Sequence, residues 1–283
     1  MDDLESEDEA KVDTVEHIQA ALQKARKLQG VGSSPQLMGI PAPVPAPAHG
    51  GELWLKLRLL KPDYALLAKQ RLVTVDRSNP AYAAFGMLRT KVLQDLRQNN
   101  WTSIAITSPT TGCGKTVVGL NLAFSLANQK ECRILLVDLD LRRPQIGKIL
   151  DTAGAPSMES FLRGRIRIEE TFVRYGDNIA IGANSQPVEF SAELLQSMET
   201  AKVLKQVKEK LKPDVILFDL PPMLSCDDVL AFLPNVDCAI LVVAAESSTY
   251  GEADLCERSL SEHTNVLGVV LNKCRYPPEK YGY

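Results

Sequence analysis

A parallel α/β sheet with helices on both faces is the fold this sequence predicts, and three observations predict it. Five short apolar runs recur after Trp101, too continuous for strands that face water on one side. Helix-patterned stretches separate most of them, as in a doubly covered parallel sheet. The first run leads into SPTTGCGKT, residues 108–116, a glycine-bearing turn between a strand and a helix.

The segments before that point read as extensions. Residues 1–16 hold eight acidic side chains against Lys11, net −7; the whole chain carries −3, so the remainder is about +4. So weak and dispersed a positive balance does not predict nucleic-acid binding. From Asp13 to Gln29, Val15, Ile18, Leu22 and Ala25 fall at helical spacing, with Asp13 placed to cap the start and Gly30 the end. Residues 1–29 are therefore expected to form an acidic segment and an amphipathic helix. Its thin stripe needs a surface, either its own domain or a partner. Residues 30–51 read as an extended Pro/Ala/Gly linker, and PAPVPAP lacks the basic flanks of an adaptor-domain ligand.

An ordered domain is expected over 52–275. Its opening LWLKLRLL alternates enough for a strand, although the leucines suit a helix too. Strands are expected at 102–107, 133–140, 213–219, 237–243 and 265–272, with helices in VVGLNLAFSLANQ and ETAKVLKQVKEKLK. Residues 276–283 form a tail holding three of the seven tyrosines, Tyr276, Tyr281 and Tyr283. Pro277 and Pro278 block continuation of a helix or sheet into it.

Several function classes drop out. No apolar run approaches the roughly 18 residues that span a bilayer, so no direct membrane span is expected. The start MDDLESEDE is the reverse of a basic signal-peptide start. The six cysteines, 113, 132, 226, 238, 256 and 274, lie far apart without a CxxC, which indicates neither disulfides nor zinc. A cytosolic protein is expected. His17, His49 and His263 show no metal spacing.

The chemistry concentrates in three places. In the loop, Gly112 and Gly114 let backbone N–H groups approach phosphate oxygens. Lys115 supplies a charge for the β and γ phosphates, Thr116 a hydroxyl for Mg²⁺, and the following helix its positive dipole end. Pro109 stands where the usual G-x-x-x-x-G-K-[ST] loop has its first glycine. In ILLVDLDLRRP, Asp138 and Asp140 close the second strand, and in VILFDLPP Asp219 closes another. Carboxylates at this edge of a parallel sheet face the ligand crevice. ATP or GTP with Mg²⁺ is thus the expected ligand. Asp219 and Thr116 would serve the metal, leaving Asp138 or Asp140 to orient an acceptor; water and a tyrosine hydroxyl are equally open on this evidence.

These segments resemble the Walker A, A′ and B segments of bacterial tyrosine kinases of the capsular exopolysaccharide type. SNPAYAAFGMLRTKV, QPVEFSAELL, VDCAILVVAAES and TNVLGVVLNK resemble flanking parts of the same family, so that the likeness covers about residues 72–275. It implies a P-loop nucleotide-hydrolase fold, ATP and Mg²⁺ as cofactors, and autophosphorylation of tail tyrosines between neighbouring subunits. Carried over by position, it assigns Thr111, Gly112, Cys113, Gly114, Lys115, Thr116, Val117, Arg142 and Asn272 to the nucleotide. Lys115, Asp138 and Asp140 become the catalytic set; Thr116, Asp138, Asp140 and Asp219 surround the metal; Tyr276, Tyr281 and Tyr283 are the acceptors. It also implies a membrane-spanning polysaccharide co-polymerase as partner, which would recruit a cytoplasmic protein to the inner membrane. Ala83, Gly86 and Arg89 stand where the family has an E-x-x-R-x-x-R subunit contact, so a homo-oligomer is expected without its standard ring contact. Thr110 replaces the signature lysine of partitioning ATPases. The competing expectation is a non-kinase, ATP-gated scaffold of a polysaccharide export complex.

Overall fold

A computed structural model describes residues 52–61, 63–75, 79–152, 154 and 156–274. The helix expected at 13–29, the linker and the tyrosine tail lie outside the described residues. The described chain forms one eight-stranded sheet: β1 (Arg58–Leu59), β2 (Ser103–Thr107), β3 (Ile134–Asp138), β4 (Phe172–Tyr175), β5 (Ile179–Gly182), β6 (Val215–Asp219), β7 (Cys238–Ala244) and β8 (Asn265–Asn272). The strand order is β1-β4-β5-β3-β6-β2-β7-β8. All neighbours pair in parallel except β4 with β5. Four long helices are α1 (Pro80–Asn99), α2 (Lys115–Ala127), α3 (Met198–Leu211) and α4 (Tyr250–His263).

The continuous apolar runs have a simple cause. Successive strand residues point to opposite faces, and on β2, β3, β6 and β7 both faces are covered; β8, expected to be covered likewise, is instead a half-exposed edge strand. Leu135 and Val137 of β3 join Phe161, Phe172 and Phe218 in one core, while Ile134 and Leu136 join Ile104, Ile106 and Leu217 in the other. The helix α1 starts at an Asn79 cap with Pro80 in its first turn and ends at Asn100 in a left-handed conformation, φ 57°.

Two elements differ from the sequence reading. LWLKLRLL divides into a helix at Glu52–Lys56 and the two-residue β1. The helical half wins because it buries Trp54, whose indole Nε1 donates to the Asp177 carbonyl at 2.9 Å. The sheet is also mixed rather than wholly parallel. The hairpin β4–β5 turns through Gly176 at φ 59°, and its strands are only four residues long.

The edge opposite the site is held by Asp237. Its Oδ2 accepts from the Thr102 and Ser103 N–H groups, both at 2.8 Å, and from Ser103 Oγ at 2.7 Å. Burial works to raise this carboxyl, but the Ser103 and Thr102 hydrogen bonds outweigh it and hold it below the ordinary range. A depressed folded value gives stability that is present above the unfolded value, about 3.9, and lost as pH falls through the folded one. Asp237→Ala is expected to lower unfolding free energy by about 2 kcal/mol at pH 7. The difference should shrink in urea melts repeated towards pH 2.

Candidate active site: a phosphate loop and three buried carboxylates

β2 delivers the chain into the loop 108–114, and α2 begins at Lys115. Gly112 and Gly114 have φ of 84° and 89°, the left-handed region that a side chain disfavours. Gly114 has a second reason to lack a Cβ: one would collide with the Asn272 side chain. Asn272, the last residue of β8, donates from Nδ2 to the Cys113 carbonyl at 2.8 Å. The loop is braced from below as well, for Ser108 and Pro109 carbonyls accept from the Met223 and Leu224 N–H groups at 2.8 and 3.0 Å. Thr111 is exposed, whereas the Cys113 thiol is buried, 3.4 Å from Ser248 Oγ and 3.7 Å from Thr110 Oγ1. Burial works to raise this thiol, but the Ser248 and Thr110 contacts outweigh it and leave it lowered.

At the start of α2, Lys115 Nζ lies 2.7 Å from Asp140 Oδ2 and 3.5 Å from Asp219 Oδ1. Thr116 Oγ1 donates to Asp219 Oδ2 at 2.6 Å. The backbone places these groups together because β3 and β6 are paired with Asp138 opposite Asp219. Asp138 Oδ2 accepts from the Gln145 and Ile146 N–H groups at 3.2 and 3.0 Å, and Asp140 Oδ1 from the Arg143 N–H at 3.0 Å. Asp138 Oδ1 and Asp219 Oδ1 are buried without a hydrogen-bond partner.

Burial, followed by the Asp219 charge, pushes the Asp138 carboxyl well above its ordinary range. Burial also raises Asp219, against the opposing pull of Lys115 and Thr116. For Lys115 burial acts downward, but Asp219 and Asp140 outweigh it, and the ammonium is held charged. The site is thus a buried cluster with more negative than positive groups, in which Asp138 Oδ1 is idle and Asp219 Oδ1 has only the Lys115 ammonium at 3.5 Å. That donor set fits a divalent cation. No group of three or more His, Cys, Asp or Glu among the described residues is arranged to hold a metal by itself. Mg²⁺ rarely requires one, since it binds through one or two carboxylates with water and phosphate.

Val117 stands beside this cluster on α2, its carbonyl taken by Asn121 Nδ2 at 2.9 Å. Arg142 is turned towards a different group. Its Nε and Nη2 donate to Asp228 Oδ1 at 3.0 and 2.9 Å, and Nη2 lies 3.8 Å from Asp227. Asp228 is fully buried, and sequence reading gave it no role; the only available signal was the acidic pair in SCDD after Asp219. Ser248 against the loop thiol and Thr107, whose Oγ1 donates to the Pro221 carbonyl at 2.7 Å, were equally silent.

A mostly parallel sheet, a glycine loop opening a helix, and strand-end carboxylates around its lysine and threonine define the P-loop nucleoside triphosphatase fold. Residues 101–261 match the AAA domain family, and the chain belongs to that family. Among curated relatives, EpsB of Ralstonia nicotianae is 28% identical over 214 residues, covering 72% of this chain and 27% of EpsB. The tyrosine-protein kinase etk of Escherichia coli K12 is 25% identical over 197 residues, 69% of this chain and 27% of etk. The chain thus spans about a quarter of the length of these relatives. Among solved structures, the VpsO kinase domain is 26% identical with a TM-score of 0.62, covering 74% of this chain and 98% of that domain. The septum site-determining protein MinD of Pyrococcus horikoshii, complexed with Mg-ADP, is 25% identical with a TM-score of 0.51, covering 63% of this chain and 74% of MinD. Among the described residues, no helix is long and apolar enough to cross a membrane.

Proposed function

We propose that this chain is an ATP-dependent protein-tyrosine kinase that phosphorylates the tyrosines of its own tail, Tyr276, Tyr281 and Tyr283, in exopolysaccharide production. The observation that carries the reading is the idle Oδ1 of Asp138, buried beside Lys115, Asp140 and Asp219 in one cluster. A P-loop ATPase needs a lysine and metal-facing acids; a kinase also needs a carboxylate with a free oxygen for the acceptor hydroxyl. The kinase names of the relatives support the same reading.

Under this reading, the backbone N–H groups of Thr111 to Val117 and the Lys115 ammonium bind the triphosphate, with Asn272 keeping the loop in shape. Thr116, Asp219, Asp138 and Asp140 are the residues that would hold Mg²⁺. Bound there, Mg²⁺ would neutralise charge on the phosphates. Asp138 orients the tyrosine hydroxyl and accepts its proton, and Lys115 stabilises charge on the transferring group. Burial excludes water from that carboxylate. Arg142, through Asp228, positions the loop that carries Asp140. We further propose that the protein acts in the cytoplasm as an oligomer, recruited to the inner membrane by a membrane-spanning polysaccharide co-polymerase. Arg89 donates to the Ser125 carbonyl of its own chain at 3.1 Å, so the proposed oligomer would form without the family's arginine contact.

Phosphosite mapping after incubation with Mg-ATP tests the proposal. Phosphate is expected on at least one of Tyr276, Tyr281 and Tyr283, and none after Lys115→Ala. ATP hydrolysis without phosphotyrosine would replace the kinase by an ATP-gated scaffold.

A further inference from the structure

On the face of the sheet that α3 covers, the core is incompletely filled. A cavity of about 200 Å³ lies between α3 and the sheet. Leu135 and Val137 of β3, Phe172 of β4, and Ile216 and Phe218 of β6 line its sheet side, with Val207 of α3 opposite. All six are buried. Edge-to-face partners hold the two rings in place, Phe161 against Phe172 and Phe232 against Phe218, with centroids 5.3 and 4.9 Å apart. On the helix, the buried stripe is Thr200, Val203, Val207 and Leu211, and Ala201 on its flank is too short to fill the space. Protein interiors rarely leave voids larger than a water molecule. Apolar cavities of about 150 Å³ stay dry and take up benzene.

The solvent side of the cavity has a different chemistry. Ala201, Lys205 and Lys208, all exposed, form it together with half-buried Asn235. Lys208 Nζ lies 3.9 Å from Asp237 Oδ2, an oxygen already bonded to Thr102 and Ser103. Among the described residues Lys205 enters no ion pair. The Ser103 hydroxyl, also on the lining, is committed to Asp237 at 2.7 Å. The helix as a whole carries four lysines against two glutamates. An apolar chamber thus opens between two ammonium groups.

We propose that this cavity is a binding site for a small apolar carboxylate, with a single ring or a chain of similar bulk. The hydrocarbon body fills the void against Phe172, Phe218 and Val207, and the carboxylate meets Lys205 and Lys208. A drug-sized molecule, which needs about 300 Å³ or more, exceeds the space. The site is separate from the phosphate loop and does not depend on the kinase reading. Val137 and Phe218 immediately precede Asp138 and Asp219, so the bound molecule lies against the two strands that carry these acids.

Calorimetric titration of the full chain with phenylacetate tests the site. Phenylacetamide keeps the shape without the charge, and acetate keeps the charge without the body. Phenylacetate is expected to bind one to one, phenylacetamide at least about threefold more weakly, and acetate not at all. Ala201→Phe, at an exposed position, should fill the opening and weaken both ring compounds at least about fivefold while the thermal midpoint stays level or rises. Lys205→Glu should weaken phenylacetate at least about threefold and leave phenylacetamide unchanged. Nuclear Overhauser effects from the bound ring to the methyl groups of Val137 and Val207 fix the location. No binding of phenylacetate, equal affinity for the acid and the amide, unchanged affinity in Ala201→Phe, or a ring without those methyl contacts would each overturn the proposal.

Discussion

Lys115→Met is expected to lower tail-tyrosine phosphorylation by at least about 10²–10³-fold, the scale of losing one preorganised charge at a reacting centre. The same substitution removes, among the described residues, the one cation paired within the acid cluster, where Nζ lies 2.7 Å from Asp140 and 3.5 Å from Asp219. Taking one partner from a buried ion pair costs about 3–5 kcal/mol, so the variant should also melt earlier at pH 7. That penalty has a predictable pH dependence. Asp219, raised by burial, takes up a proton more readily than an ordinary carboxyl, and its charge then needs no partner. The stability gap to wild type should therefore narrow as pH falls. Lys115→Arg would keep the charge but not the compact ammonium, recovering stability better than phosphorylation. Radiolabel transfer and thermal melts at two pH values read both effects. Phosphorylation at the wild-type rate in Lys115→Met would mean that this loop does not hold the phosphate donor.

Asp138→Asn is expected to lower phosphorylation by about 10²–10⁴-fold, the range for loss of a positioned acid–base group. Unlike Lys115→Met, it should stabilise the nucleotide-free fold. Asp138 is fully buried, and burial with the neighbouring Asp219 raises its carboxyl well above the ordinary range. The folded protein then holds a proton that the unfolded chain has already lost. Wild-type stability falls as pH rises from the unfolded value, about 3.9, to the folded one, and is level beyond. Asparagine carries no such dependence and can still accept from the Gln145 and Ile146 N–H groups. The variant should thus be the more stable protein at pH 7 and no more stable near pH 3. A variant less stable than wild type at pH 7 would contradict the assignment of burial as the dominant cause.

Much of the fold was legible because burial on both faces leaves an imprint on composition. The runs at β2, β3, β6 and β7 show it, while NVLGVVLN, also read as a strand buried on both faces, forms β8 at Asn265–Asn272 but as a half-exposed edge strand. The second strand was expected to reach residue 140 but ends at Asp138. Leu139 N–H there turns to the Asp219 carbonyl at 2.8 Å, a long-range contact that no local pattern announces. FVRY and IAIG escaped notice since four residues joined by a tight turn carry too little periodicity to register. LWLKLRLL was ambiguous until Trp54 found its core and its Asp177 carbonyl. The phosphate loop and its acids could be read because residue type and strand-end position define them. The grip of Arg142 on Asp228 could not, because it joins residues 86 positions apart through a helix packed elsewhere.

The hydrogen bond from Asn272 to the phosphate loop fixes the origin from which the proposed acceptors would be measured. Chain contour sets a limit of roughly 3.5 Å per residue, so Tyr276 can lie no farther than about 14 Å from that anchor. Tyr281 and Tyr283 have radii of about 32 and 39 Å on the same rule. As proposed acceptors, the three would therefore be unequal by chain length alone. Under the kinase reading, the short contour would keep Tyr276 near its own loop, while the longer ones would let Tyr281 and Tyr283 reach another molecule. Mixed populations of active and Lys115→Met protein should show phosphate passing between molecules on Tyr281 and Tyr283 ahead of Tyr276.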